Sequence, residues 1–194
     1  PLLNSLNLSL YTVARLAPAE REKRDYSVTI VIPCRNEKGN IRNAIARMPE
    51  FGTSQEIIFV DGHSTDGTPD EIRAVMAENP AKNIRFMVQD GKGKGDAVRK
   101  AFAVAENDIL MILDADLTVP PEDLPKFYHA LAQHQGDFIN GCRLIYPMEE
   151  QAMRFLNMLG NRFFAMAFSW LLNQRIRDTL CGTKVLFRQD YQRI

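Results

Sequence analysis

Apolar runs without alternation mark the strands of this chain. Ser27-Val28-Thr29-Ile30-Val31-Ile32, Gln55-Glu56-Ile57-Ile58-Phe59-Val60 and Ile109-Leu110-Met111-Ile112-Leu113 are short and apolar through their centres. Strands covered on both faces read this way, because neither face has water to offer a polar side chain. Asn83 to Val88, Gly136 to Gly141 and the stretch ending at Phe187 add three weaker candidates. Helical patterns fill the gaps: Asn40 to Met48, a helix ending near Glu78, Asp96 to Ala105, and one from Pro120 to Gln135. Thr68 or Asp66 is placed to cap the second, with Pro69 in its first turn. A longer helical region runs from Met148 to Asn173. Strands and helices alternating at this spacing predict an α/β domain, a mostly parallel sheet with helices on both faces.

Composition narrows the class. The chain has 194 residues, 45% of them hydrophobic and 25% charged, which suits one soluble domain with its own core. Its formal net charge is zero, so bulk electrostatics give no reason to expect nucleic acid as a partner. Cys34, Cys142 and Cys181 are odd in number and far apart, which supports neither a zinc site nor a disulfide framework. A reducing compartment, and so a cytoplasmic location, is the simpler inference. No apolar run reaches the roughly 18 residues of a membrane span. Residues 1 to 24 differ from the rest: a short strand candidate from Ser9 to Arg15, then a charged linker containing Pro18. With Pro1 at one end and a strand close to Ile194 at the other, the chain reads as a piece of a longer protein.

Chemistry gathers at the carboxyl ends of the strands, where open α/β sheets bind ligands. The strand at Ile109 runs into Asp114-Ala115-Asp116. Residues two apart on a strand share a face, so the two carboxylates are expected to aim at one spot. Crowded carboxylates call for a cation, and Mg²⁺ is commonly held by one or two of them together with substrate phosphates. Gly91-Lys92-Gly93-Lys94-Gly95 precedes a helix; its glycines let backbone approach phosphate, and the helix N-terminus favours anions. It is neither a Walker A loop nor a complete Gly-x-Gly-x-x-Gly fingerprint.

Val31-Ile32-Pro33-Cys34-Arg35-Asn36-Glu37, Asp61-Gly62-His63-Ser64-Thr65-Asp66-Gly67-Thr68, Gly93-Lys94-Gly95, Asp114-Ala115-Asp116-Leu117-Thr118 and Asp178-Thr179-Leu180-Cys181-Gly182-Thr183-Lys184 follow one another in this order. Together they resemble the family-2 glycosyltransferases, most closely the dolichyl- or polyprenyl-phosphate sugar synthases. The resemblance covers Ser27 to Phe187 and implies a GT-A fold over residues 25–194. The stretch Leu8 to Pro18 separately resembles the closing strand of class I methyltransferase domains.

The resemblance implies roles. Pro33, Arg35, Glu37, Asp61 and Lys94 would hold the donor nucleotide, UDP or GDP. A carboxylate suits the N–H groups of uracil or guanine and the ribose hydroxyls. Asp114 and Asp116 would hold Mg²⁺ or Mn²⁺. Arg143 and Arg154 would bind an acceptor phosphate, for which the guanidinium fork is well shaped. Asp178 would stand near the acceptor. Asp66 reads instead as a turn or cap residue, and His63 as a loop residue.

The implied reaction is a single inverting displacement at the anomeric carbon. The metal would neutralise the departing diphosphate. A polyprenyl phosphate is already anionic and needs no general base, whereas a saccharide hydroxyl requires one. The apolar Met148–Asn173 region fits an interfacial helix meeting a lipid acceptor at the cytoplasmic face of a membrane, and equally a core or homodimer helix. A sugar nucleotidyltransferase and a non-catalytic nucleotide-sugar-binding module are the competing classes.

Overall fold

The computed structural model describes residues 24–141, 155–173 and 181–193. In chain order the elements are β1 (Val28–Cys34), α1 (Lys38–Ala46), β2 (Gln55–Asp61), α2 (Thr68–Glu78), β3 (Asn83–Val88), α3 (Lys94–Val104) and β4 (Ile109–Ile112). A 3₁₀ turn at Pro121–Asp123 leads into α4 (Leu124–Ala132), followed by β5 (Phe138–Asn140), α5 (Phe155–Leu172), β6 (Lys184–Phe187) and α6 (Arg188–Tyr191). The strand candidate at Ser9 lies outside the described residues.

The sheet runs β3-β2-β1-β4-β6-β5. β3, β2, β1 and β4 are parallel, while β6 pairs antiparallel with both β4 and β5. The chain walks outward from β1 to β3, then returns through α3 to place β4 on the other side of β1. This reversal of strand order opens a crevice at the carboxyl ends, the usual ligand position in such sheets.

Period-2 alternation divides the strands between two cores. Val28, Ile30, Ile32, Ile57, Phe59, Ile109, Met111, Val185 and Phe187 pack with Ile41 and Ile45 of α1, Ile72 and Val75 of α2, and Leu124 and Tyr128 of α4. Val31, Ile58, Val60, Leu110 and Ile112 point the other way, onto Ala97, Ala101 and Phe102 of α3. Both faces are thus covered, which is why the central strands carry so few polar residues. Thr29 and Glu56 at the amino-terminal end, and Asp61 at the carboxyl end of β2, are the buried exceptions. The Thr29 hydroxyl donates to Glu56 Oε2 at 2.9 Å, Asn107 Nδ2 donates to Thr29 Oγ1 at 3.0 Å, and Arg85 pairs with Glu56 Oε1 at 2.9 Å. The amino-terminal end of the sheet therefore has its polar groups partnered, and Tyr128 ties it further. Its hydroxyl accepts from Tyr26 N at 2.7 Å and donates to Tyr26 O at 3.0 Å.

Candidate functional site

The loops after β1 and β2 form one wall of the crevice, and they are laced together. Asn36 N donates to Ser64 Oγ at 2.8 Å, and Asn36 Oδ1 accepts from Thr65 N at 2.8 Å. Glu37 N donates to Thr68 Oγ1 at 2.9 Å, and Lys38 N to Asp66 Oδ2 at 3.2 Å. Asp66 also accepts from Thr68 N at 2.9 Å, closing the turn before α2. The Thr68 hydroxyl, donating to Asp66, is the main reason the Asp66 carboxyl titrates below its ordinary value. Gly67, in the left-handed region at φ +87, is the N-cap residue of α2, so Asp66 closes the turn from one residue earlier. His63 is an exposed loop residue with φ +60.

Asp61 ends β2 and is 3% exposed. Its Oδ2 accepts from Ser64 N at 3.0 Å, while its buried Oδ1 has no hydrogen-bond partner among the described residues. A buried polar oxygen without a partner is costly unless something fills the vacancy. A cavity of about 130 Å³ opens at the neighbouring positions, with Gly62 and not Asp61 in its lining. Pro33, Cys34 and Arg35 of the first strand end line it, with Gly62 and Gln89 behind and Gly93, Lys94 and Ala97 from the start of α3. The Cys34 thiol is pushed up to about 12, first by burial and then by the negative charges of Asp61, Glu37 and Asp66. It therefore behaves as a small apolar wall and not as a nucleophile. Glu37, which precedes α1, is half-buried, with Oε2 accepting from Asn40 Nδ2 at 2.7 Å. Arg35 is exposed.

The Asp114–Asp116 pair differs from the expectation in one respect. β4 ends at Ile112, and only one further bond, Leu113 N to Val31 O at 3.0 Å, extends its ladder. Asp114 and Asp116 stand on a turn, where strand alternation no longer fixes their directions. Leu117 N bonds back to Asp114 O at 3.0 Å, and Leu117 takes φ +54. Asp116 is exposed, and its Oδ1 accepts from Thr118 N at 3.0 Å. Asp114 is half-buried and ion-paired with Lys94. Lys94 is itself the first residue of α3, because Gly93 at φ +83 turns the chain two residues before the expected helix start. The structure thus brings together Pro33, Arg35, Lys94 and the groups around Asp61 at one cavity, and joins Asp114 to it through Lys94. Arg143, Arg154, Asp178 and Cys142 lie outside the described residues.

Three residues at this site carried no assignment from the sequence. Gln89 is 6% exposed, donates from Nε2 to Gly91 O at 3.0 Å, and takes its place through Gln89 N donating to Asp61 O at 3.0 Å. Asn36 supplies most of the lacing between loops. Gly182 meets the ion pair so closely that a Cβ there would overlap Asp114 Oδ2 and Lys94 Nζ. Asn36 and Gly182 lie inside recognisable motifs, so a search for loop-closing polar residues and for glycines flanking charges would have found them; Gln89 carries no such signal.

The donor set suits a divalent ion completed by a substrate. Among the described residues no group of three or more His, Cys, Asp or Glu side chains gathers to hold a metal. Two carboxylates that leave most of a coordination sphere to water and phosphate oxygens are what Mg²⁺ and Mn²⁺ commonly accept.

A Rossmann-like half-sheet widened by an antiparallel strand, with acids and a glycine-bordered lysine at its carboxyl edge, is the GT-A architecture. The chain belongs to glycosyl transferase family 2, whose model matches residues 29–194. It is 36% identical over 116 residues to a dolichol-phosphate mannosyltransferase of Saccharomyces cerevisiae, covering 57% of this chain and 42% of that protein. It is 32% identical over 169 residues to the glycosyltransferase AglJ of Haloferax volcanii, covering 85% of this chain and 52% of that one. The chain therefore spans about half the length of these relatives, or less. Its fold matches the mannosyltransferase PcManGT of Pyrobaculum calidifontis, solved with GDP-Man and Mn²⁺, at TM-score 0.61 and 20% identity. That match covers 88% of this chain and 47% of the other.

Proposed function

We propose that this chain is the donor-binding and catalytic part of an inverting glycosyltransferase. It moves a sugar from UDP or GDP to an acceptor, a polyprenyl phosphate. The buried Oδ1 of Asp61, unpartnered among the described residues and one residue before Gly62 of the cavity lining, carries the reading. An acceptor oxygen in that position asks for an N–H donor. Uracil and guanine have imino N–H groups, while cytosine and adenine present a bare ring nitrogen. Pro33 and Cys34 give the ring an apolar wall, and Glu37 would serve the ribose.

In this reading the acceptor oxygen attacks the anomeric carbon, the bond to the β-phosphate oxygen breaks, and the electron pair leaves on the diphosphate. Asp114 and Asp116 would hold a divalent ion, which would supply Lewis-acid stabilisation of that leaving charge. Lys94, at the N-terminus of α3, adds a second cation and backbone N–H groups on the same side. Arg143 and Arg154 are proposed for the acceptor phosphate, and Asp178 for its orientation.

The acceptor side is supported by α5. Phe163, Phe164, Met166, Phe168, Trp170 and Leu171 are exposed on it, more apolar surface than water tolerates cheaply. No helix among the described residues is long and apolar enough to cross a membrane, so α5 would lie against the surface that holds the lipid acceptor. The likeness to a dolichol-phosphate mannosyltransferase favours the same acceptor class.

A thermal-shift panel of UDP, GDP, CDP and ADP with and without Mn²⁺ tests the reading. UDP or GDP raises the melting temperature only with Mn²⁺ present, since a ligand that binds the native state stabilises it by mass action. Equal shifts with CDP and ADP, or none with any nucleotide, would falsify it.

A further inference from the structure

We infer that Lys94 is the resident counter-cation of Asp114: its ammonium holds the metal's side of the site until donor and metal arrive together, then moves to the diphosphate. The inference rests on the function proposed above and adds a role for one residue within it.

The placement of Lys94 is unfavourable by itself. It opens α3, and the positive end of a helix repels a cation. Reaching across to Asp114 relieves that repulsion and also partners a half-buried carboxylate. Gly182, just before β6, packs against both charges, and any larger residue would collide with them. The pair therefore sits under a backbone roof fitted to it. A divalent ion bound to Asp114 would meet the ammonium at like-charge distance, so one must leave. Lys94 has somewhere to go. It borders the cavity between Gly93 and Gly95, and its side chain is 46% exposed. A diphosphate laid on the start of α3 would offer it new anionic partners.

Bare metal should therefore bind weakly, and metal and nucleotide should bind cooperatively. A neighbouring cation changes a carboxylate's affinity for a proton by roughly one to three powers of ten, and a divalent ion faces the same competitor. The test uses the full chain. Free Mn²⁺ is followed by electron paramagnetic resonance, first alone and then with UDP or GDP, in wild type, Lys94→Met and Lys94→Arg. Lys94→Met binds bare Mn²⁺ about tenfold more tightly than wild type or more, binds the nucleotide more weakly, and loses most of the coupling between them. Lys94→Arg, which keeps the charge, leaves the bare Mn²⁺ affinity near wild type. Equal bare Mn²⁺ affinity in wild type and Lys94→Met overturns the inference, as does Mn²⁺ binding by neither. If wild type binds Mn²⁺ but no nucleotide, the proposed function fails while the competition at Asp114 is still read from the metal titration.

Discussion

Replacing Asp61 by Asn separates binding from folding in a way few substitutions here would. The change keeps size and shape. The Asn carbonyl can still accept from Ser64 N, the 3.0 Å bond that Asp61 Oδ2 makes. The other oxygen, buried and unpartnered among the described residues, becomes an NH₂ that points a donor at the base's own N–H. One charge-assisted hydrogen bond is lost, worth about 1.5–3 kcal/mol, which is about 10- to 150-fold in Kd. The folded, ligand-free protein loses nothing comparable, because in that state the oxygen has no partner to lose; its stability stays level or rises. Isothermal titration with UDP and GDP in the presence of Mn²⁺, alongside urea unfolding without ligand, measures both quantities. Wild-type nucleotide affinity in Asp61→Asn refutes the reasoning. So does a loss of ligand-free stability with binding unchanged, since that would make Asp61 a loop brace alone.

Tyr128→Phe removes the hydroxyl that serves both Tyr26 N and Tyr26 O, although Thr53 N still donates to Tyr26 O at 3.1 Å; urea unfolding should show a loss of about 1–3 kcal/mol with nucleotide affinity unaffected. Gly182→Ala pushes a methyl group into the Asp114–Lys94 pair, so Mn²⁺-dependent nucleotide binding measured by calorimetry should fall at least as sharply as stability does. Acid should weaken the fold through Asp66, held low by the Thr68 hydroxyl, and through Glu78 and Glu122, held low by Arg42 and Arg47. Their folded-state values lie below the ordinary 3.8 and 4.5, so the stability they lend is present above those values and lost as pH falls through the depressed ones. Urea midpoints recorded from pH 7 down to pH 3 check this, and a midpoint that stays flat below pH 4.5 contradicts it.

The central strands were legible because burial on both faces leaves a plain signature. Val28 to Ile32 and Ile109 to Leu113 contain no residue that a solvated strand face would require. The first three helices were legible to within two residues, with α3 starting early because Gly93, not Gly95, makes the turn, whereas α4 begins four residues late, behind a 3₁₀ turn, and α6 was not expected. Less could be read where the outcome depends on distant partners. Nothing local to Lys184–Phe187 says that it enters the sheet antiparallel between β4 and β5, since that order is set by which strand edge remains open. The apolar run before Asp114 looked like strand through Leu113, and the carboxylates inherited that geometry; in fact the ladder stops and a turn takes over. Glu37, Asp61 and Lys94 were recognisable by motif, but the pairing of Lys94 with Asp114 joins a helix start to a strand end twenty residues away. Gln89 was invisible because an isolated glutamine after a strand has many uses.

The placement of β6 has a consequence for how such a chain can diversify. Gly141 N bonds to Thr183 O at 2.9 Å, so the polypeptide leaves the sheet and re-enters it through adjacent positions. That bond holds the two ends of the intervening segment together at the sheet. Lengthening or exchanging that segment alters closure entropy only slowly with length and disturbs no strand pairing. Variation between Gly141 and Gly182 could therefore accumulate without reordering β3, β2 and β1, whose ends frame the cavity.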